Sequence, residues 1–237
     1  MVLENLVLTK SSHPLRRQDL TIAPTIQIVE FPAEKLVCEF PAEKEADHLP
    51  LVLSADGKRA VSQYYQGKSG SKIVERSALT GEIRREYEPY LREYARAIGL
   101  SADGSLLAAC DSAGDALLWD TRTGQLKHKI AAGHLHGGAH LRFSPDGRLL
   151  ALSVFAGPSP KLILIDVADG AIVATAPQEE SSGDTSGDIH WSADSKSFDV
   201  ISDLRGITEK TDKTGLRSMY NLFPLVQTWK VADIRNR

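Results

Sequence analysis

The chain has 237 residues, 42% of them hydrophobic and 25% charged, and its 28 Lys and Arg against 31 Asp and Glu leave a formal net charge of −3. This is the composition of a globular domain that can bury a large core without disulfides or structural metal. The chain has no excess of positive charge of the kind that binds nucleic acid. No apolar run approaches the ~18 residues of a membrane span and the first residues lack a signal-peptide pattern, so we expect a cytoplasmic protein that binds neither nucleic acid nor membranes.

A short polar turn recurs four times along the chain, each time between two short apolar or alternating stretches. Its copies are Ser54–Gly57, Ser101–Gly104, Ser144–Gly147 and, in a weaker form, Ser192–Ser195, and their starts are 47, 43 and 48 residues apart. The Asp-Gly pair favours a hairpin turn because glycine accepts a positive φ. Each copy therefore predicts two antiparallel strands joined by a tight turn.

A second landmark has the same period. Three-residue segments that end in an acidic residue occur at Ile28–Glu30, Ile73–Glu75, Leu118–Asp120 and Leu164–Asp166, and a turn and a further strand follow each of them. A fifth copy, at 228–231, is displaced by an insertion of roughly 18 residues relative to the period, which we place at 204–223.

Four short strands in about 45 residues predict a propeller blade. A β-sandwich would not repeat its turns at a fixed phase, and no segment between strands is long enough for the crossover helix of an α/β fold. The sequence thus predicts an all-β protein, a β-propeller of four-stranded antiparallel blades within one domain, 1–237. Its parts are an irregular N-terminal blade at 1–47, regular blades at about 48–91, 95–132 and 138–178, and a last blade at 187–237 that carries the insertion.

The number of blades is open at this point. The segment Glu4–Lys10 could supply a strand to the last blade and so seal a five-bladed ring. The chain could equally form part of a larger ring, whose exposed edges would then pair in a homo-oligomer.

The sequence resembles the WD-repeat propellers of bacterial type. Trp119 and Asp120 form the dipeptide that gives this family its name, and Gly133-His134 precedes the turn-bearing segment Phe143–Gly147 at the spacing of a repeat. The resemblance covers about residues 25–233, although Ile165 stands where the family has tryptophan. It implies a non-enzymatic scaffold that binds a protein or peptide partner through blade loops on one face.

The segment 84–96 carries tyrosines among arginines, residue types that are enriched in binding hot spots. The candidate partner-binding residues are Tyr87, Tyr90, Arg92, Tyr94 and Trp191. The alternative interpretation of the segment is ordinary strand residues followed by one helical turn after Pro89. The insertion at 204–223 could equally carry binding residues or be a spacer.

An enzyme is the alternative function, with chemistry in the central channel as in propeller lactonases or other hydrolases. His134, His136 and His140 are weak candidates for a metal site, because imidazoles two residues apart on an extended segment point to one side. They could equally support packing. The sequence has no nucleophile elbow, phosphate-binding loop or paired carboxylates, so we assign no catalytic residues and no cofactor.

Overall fold

The computed structural model divides the chain into two compact units, Met1–Ala131 (unit 1) and Ala132–Arg237 (unit 2). It describes residues 6–11, 25–30, 33, 35–41, 50–65, 70–91, 94–133, 139–156, 159–177, 188–202, 210–211, 217–218 and 225–232. The fold is all-β with antiparallel sheets of the blade type, as the sequence predicts.

Unit 1 contains three sheets, and each is formed from consecutive strands. Sheet A has three strands, β1 (Leu6–Ser11), β2 (Thr25–Glu30) and β3 (Lys35–Pro41). Sheet B has four, β4 (Leu51–Leu53), β5 (Arg59–Tyr65), β6 (Ser71–Ser77) and β7 (Ile83–Leu91). Sheet C also has four, β8 (Ala95–Leu100), β9 (Leu106–Asp111), β10 (Asp115–Asp120) and β11 (Leu126–Ala131).

Unit 2 contains two larger sheets and a hairpin. Sheet D has four strands, β12 (Ala139–Phe143), β13 (Leu149–Ala156), β14 (Ser159–Asp166) and β15 (Ile172–Pro177). The chain continues through β16 (Asp188–Trp191), β17 (Ser197–Ser202), β18 (Lys210–Thr211), β19 (Arg217–Ser218) and β20 (Leu225–Lys230). Sheet E has the order β16-β17-β20, whereas β18 and β19 form a hairpin, sheet F, within the predicted insertion.

The recurring polar turn has one geometry in all four copies. In the first copy, the Ser54 hydroxyl donates to Asp56 Oδ1 at 2.6 Å and accepts the backbone N–H of Arg59 at 3.0 Å. These bonds close the turn around a residue of positive φ, which is glycine in three copies. The same serine-to-aspartate bond joins Ser101 to Asp103, Ser144 to Asp146 and Ser192 to Asp194, at 2.6, 2.6 and 2.8 Å.

The second landmark of the sequence coincides with a β-bulge. A register shift interrupts the pairing of the third and fourth repeat strands at Ile28/Val29, Glu75/Arg76, Leu118/Trp119 and Leu164/Ile165. A bulge increases the local twist of a strand pair. The period of about 45 residues is therefore a period of backbone geometry as well as of sequence.

Among the described residues, three clusters of buried side chains join consecutive sheets within the units. One cluster joins sheets A and B and includes Ile28 and Phe40. Another joins sheets B and C and includes Ile73, Leu107 and Trp119, and a third joins sheets D and E around Phe198. Sheet B contributes to two of these clusters, and its strand β6 is buried along most of its length.

Three sequence-based expectations change in the structure. The segment at Glu4–Lys10 does contribute a strand, β1, but β1 pairs with β2 in sheet A, so the expectation that it completes the last blade is wrong. Pro89 lies inside β7, which continues to Leu91, where one alternative expected a helical turn. Part of the insertion at 204–223 is a hairpin and not only a spacer. Within the described ranges, no helix has the length and apolar composition that a membrane crossing requires.

Candidate functional site

Two positions in the first strand of sheets C, D and E, together with the equivalent residues of sheet B, distinguish unit 2 from unit 1. They lie two and four residues before the serine of the recurring turn. In sheets B and C these positions hold Pro50, Val52, Ala97 and Gly99, which are apolar or have no side chain. In sheets D and E they hold His140, Arg142, Asp188 and His190, which we call the first-strand cluster.

The first-strand cluster is centred on the carboxylate of Asp188. Its Oδ1 atom lies 3.4 Å from Nδ1 of His140 and 3.5 Å from Nη2 of Arg142, and its Oδ2 atom lies 3.4 Å from Nε2 of His190. Because β12 and β16 are neighbours, side chains from both sheets reach one point. All four side chains remain between 38% and 57% exposed, so a ligand can reach them from solvent.

The charge state of Asp188 follows from these neighbours. The hydrogen bond from His140, together with the positive charge of Arg142, lowers the pKa of Asp188 to about 2 against the opposing effect of burial. The carboxylate is therefore ionised at neutral pH and acts only as an acceptor. The cluster combines one anion, one cation and two imidazoles that can donate or accept hydrogen bonds.

The backbone beneath the cluster is held by packing and by one hydrogen bond between the sheets. Leu141 and Ile189, whose side chains alternate with those of the cluster, are fully or almost fully buried. The Trp191 indole donates from Nε1 to the carbonyl oxygen of Arg142 at 3.2 Å, and its ring lies 4.7 Å from that of Phe198. Trp191 is a predicted partner-binding residue. It is half-buried, and its hydrogen bond to the Arg142 carbonyl holds β16 against β12.

Tyr87, another predicted partner-binding residue, belongs to the core. Its side chain is fully buried, and its hydroxyl donates to Glu75 Oε2 at 2.6 Å. Desolvation is the main cause that raises the pKa of this hydroxyl, and the Glu75 carboxylate adds to it. The assignment of Tyr87 to a partner surface is corrected by this burial, because the ring packs against Trp119 and does not reach solvent.

Tyr94 is the candidate tyrosine that the structure places at the surface of unit 1. Its side chain is 38% exposed, and the guanidinium carbon of Arg96 lies 4.6 Å from the centre of its ring. Such stacking holds the ring in place while one of its faces stays available. The side chain of Tyr90 and the whole of Arg92 lie outside the described residues.

The three histidines proposed as weak metal candidates are only partly described. His134 and His136 lie outside the described residues, whereas His140 belongs to the first-strand cluster. In the described part of the chain, no group of three His, Cys, Asp or Glu side chains is arranged to hold a metal ion.

Sequence reasoning missed Arg142, Asp188 and His190. The signal that could have found them is the alignment of the repeats on their turn serine. That alignment places Asp188 at the position of His140 and His190 at the position of Arg142, in strands that are neighbours in the fold. Motif searches within one segment could not find the cluster, because its members come from two blades.

Comparison with known proteins supports the fold. The sequence matches no family model and no curated relative. Among solved structures, the hydrazine synthase of Kuenenia stuttgartiensis aligns with 75% of this chain at a TM-score of 0.58 and 16% sequence identity. The chain covers 49% of that protein, about half its length. At this identity the likeness concerns the fold alone, and it agrees with a propeller-type arrangement of four-stranded antiparallel sheets.

Proposed function

We propose that the chain is a non-enzymatic interaction scaffold of the WD-repeat type, and that the first-strand cluster binds an acidic segment of a protein or peptide partner. The observation that carries this proposal is the convergence of three exposed polar side chains, from two sheets, on Asp188. The repeat itself does not require polar side chains there, because Ala97 and Gly99 occupy the same positions in sheet C.

The preference for an acidic segment follows from the balance of donors and acceptors. Arg142 offers five N–H groups and the two imidazoles add further donors, whereas Asp188 is the one carboxylate of the cluster. Its contacts of 3.4–3.5 Å are longer than the usual ~2.8 Å of a charge-assisted hydrogen bond, so the donors are not fully engaged. A carboxylate of the partner would engage this remaining capacity, with Arg142 as its main contact.

A second contact surface is proposed at Tyr94 and Arg96 in unit 1. An exposed aromatic ring that is held by a stacked guanidinium loses little conformational freedom when a partner covers it. This pair retains the tyrosine and arginine composition from which the sequence predicts partner binding, although Tyr87 no longer belongs to that surface.

A displayed library of random peptides, selected on the immobilised full chain, tests the proposal. We expect the selected peptides to be enriched in Asp and Glu. The Arg142→Gln variant should weaken their binding about tenfold, because a hydrogen bond to a charged group contributes roughly 1.5 kcal/mol. Arg148→Gln is the matched control, since Arg148 is exposed on the turn that follows β12 in the same sheet. Isothermal titration calorimetry at two salt concentrations gives the affinities.

Two results would count against this function. One is selection of peptides without acidic enrichment, bound equally by the wild type and the Arg142→Gln variant. The other is hydrolysis of a lactone or ester panel that disappears in His140→Gln. That second result would favour the enzyme alternative, because His140 beside the ionised Asp188 resembles a general base with its orienting carboxylate.

A further inference from the structure

The donors of the first-strand cluster already face a carboxylate of the same chain. Asp188 Oδ1 lies 3.4 Å from His140 Nδ1 and 3.5 Å from Arg142 Nη2, and its Oδ2 lies 3.4 Å from His190 Nε2. A carboxylate of a partner would use the same donors, because it is the same chemical group. The internal carboxylate and a bound partner would therefore compete for one set of N–H groups.

The contacts of Asp188 with these donors are of a kind that a partner can replace. They are longer than the 2.6 Å bond from the Ser144 hydroxyl to Asp146 in the turn after β12, and the side chains of the cluster are 38–57% exposed. Exposed ion pairs contribute little to stability, since water solvates the separated charges well. Redirecting the donors from Asp188 to a partner's carboxylate therefore costs little.

The carboxylate of Asp188 is held in place independently of these donors. Its Oδ1 accepts the backbone N–H of Ile189 at 2.9 Å, and the Ile189 side chain is almost fully buried. The backbone of Asp188 is paired with Ile201 of β17. The negative charge is thus fixed beside Arg142, and an anion that binds to this arginine must lie close to it.

Neither the repeat nor the arginine requires a carboxylate at this position. In sheets B and C the equivalent residues are Pro50 and Ala97. The guanidinium of Arg142 is oriented by the carbonyl oxygen of Leu141, to which its Nη1 donates at 3.1 Å. A role in orienting the arginine therefore does not account for Asp188.

We propose that Asp188 is an internal competitor of the acidic partner, and that its charge restricts the first-strand cluster to singly charged groups such as the carboxylates of Asp and Glu. This inference rests on the proposed function and adds a specificity-determining residue to it. A phosphorylated side chain carries a charge of about −1.5 to −2 at pH 7, so Asp188 repels it more strongly than it repels a carboxylate. Such repulsion is a means by which a site rejects the wrong ligand.

Coulomb repulsion sets the size of the expected effect. Two unit charges about 6 Å apart in water change a dissociation constant about threefold, and a doubly charged group at that distance changes it about tenfold. Asp188→Asn keeps the shape of the side chain and removes its charge. We expect this variant to bind acidic ligands more tightly than the wild type does. A gain of affinity of this kind cannot result from damage to the fold.

NMR titration of the isotope-labelled full chain with two capped octapeptides tests the inference. Both peptides consist of Gly and Ser around one central residue, which is Glu in the first and phosphoserine in the second. Asp188→Asn should bind the Glu peptide about threefold and the phosphoserine peptide about tenfold more tightly than the wild type does. Asp188→Glu retains the charge and should stay within about twofold of the wild type for both.

The matched control is Asp169→Asn, which removes an exposed charge from the turn between β14 and β15 of sheet D. We expect it to change either affinity less than about twofold, because salt screens charges at larger distances. Circular dichroism checks that each variant is folded. Gains in Asp169→Asn as large as those in Asp188→Asn would overturn the inference, because the overall charge of the protein would then explain them.

The remaining outcomes separate this inference from the proposed function. If the wild type binds the Glu peptide and Asp188→Asn binds it equally or more weakly, the inference is overturned and the proposed function is retained. Equal gains for both peptides, or a wild type that prefers the phosphoserine peptide, would also overturn the inference alone. If neither the wild type nor Asp188→Asn binds either peptide, the proposed function fails and the inference fails with it.

Discussion

Among single residues, Ser195 combines a strained backbone with a hydrogen bond that the other turns do not make. Its φ is 60°, in the region that the three equivalent turns reach with glycine. Its hydroxyl accepts the backbone N–H of Asp146 at 3.1 Å and so connects the turns of sheets D and E. The left-handed conformation costs a non-glycine residue about 1 kcal/mol, and a hydrogen bond contributes about as much, so the two effects nearly cancel.

This balance predicts different effects for two substitutions of Ser195. Ser195→Ala removes the hydroxyl but keeps the strain, and we expect it to lower the free energy of unfolding by about 1 kcal/mol. Ser195→Gly removes both and should stay within about 0.5 kcal/mol of the wild type. Urea denaturation followed by fluorescence measures both variants. An alanine variant as stable as the glycine variant would contradict the balance.

The sequence predicted this turn, although its fourth copy lacks glycine. The prediction held because Ser192 and Asp194 form the same internal hydrogen bond as the other copies and impose the turn on Ser195. The burial of Tyr87 was not predicted, because the segment was judged by its composition. The alternation of side chains along β7 would have indicated the burial of Tyr87, because Tyr87 is paired with the buried Ile73 of β6.

At the scale of strands, β10 and β20 offer a matched comparison of two tryptophans. Trp119 and Trp229 hold equivalent positions in the repeat. Trp119 is fully buried and its indole donates to Glu88, whereas Trp229 is half-buried and its Nε1 has no partner among the described residues. We therefore expect the two tryptophans to contribute differently to the free energy of unfolding, although they hold equivalent positions in the repeat.

We expect Trp119→Phe to lower the free energy of unfolding by about 3 kcal/mol, because it leaves a cavity and an unpaired Glu88 carbonyl. Trp229→Phe should cost less than about 1 kcal/mol, because it removes a donor that has no partner among the described residues. Chemical denaturation at low protein concentration checks this difference. Equal losses in the two variants would show that packing alone, and not the indole hydrogen bond, decides the contribution of each tryptophan.

Strand pairing was predictable where short turns join neighbouring strands, as between β8 and β9. The pairing of β1 was not, because a long segment separates β1 from β2 and sequence periodicity carries no information about which edge a terminal strand joins. The first-strand cluster was hidden for a similar reason. Each of its histidines is unremarkable in its own strand and gains a role only beside Asp188.

For the whole molecule, the acidic side chains determine the response to pH. Serine hydrogen bonds lower the pKa of the aspartate in each recurring turn, and His140 and Arg142 lower that of Asp188 to about 2. A depressed pKa in the folded state stabilises the protein above the pKa of the unfolded state, which is about 3.9, and this stabilisation disappears as the pH falls toward 2. Asp111 acts in the opposite direction, because burial raises its pKa.

The chain should therefore lose stability steeply between about pH 4 and pH 2, and Asp188→Asn should flatten part of that decline. At pH 7 the variant should be less stable than the wild type, because the ion pair with Arg142 and the hydrogen bond from His140 are lost. The contribution of Asp188 is reduced by solvent screening, since the group is partly exposed. Thermal unfolding at a series of pH values measures the effect. If the stability of Asp188→Asn falls below pH 4 as steeply as that of the wild type, this contribution of Asp188 is contradicted.

The hairpin between β17 and β20 also has a consequence for the order in which the protein folds. The strands β17 and β20 are separated by 22 residues, whereas β9 and β10 are separated by three. Closing the longer loop costs roughly 2 kcal/mol more in chain entropy. Sheet E should therefore begin as the hairpin of β16 and β17, and β20 should join it in a late step. During synthesis β20 also emerges after the other described strands, so Phe198 stays uncovered on the side of β20 until that step.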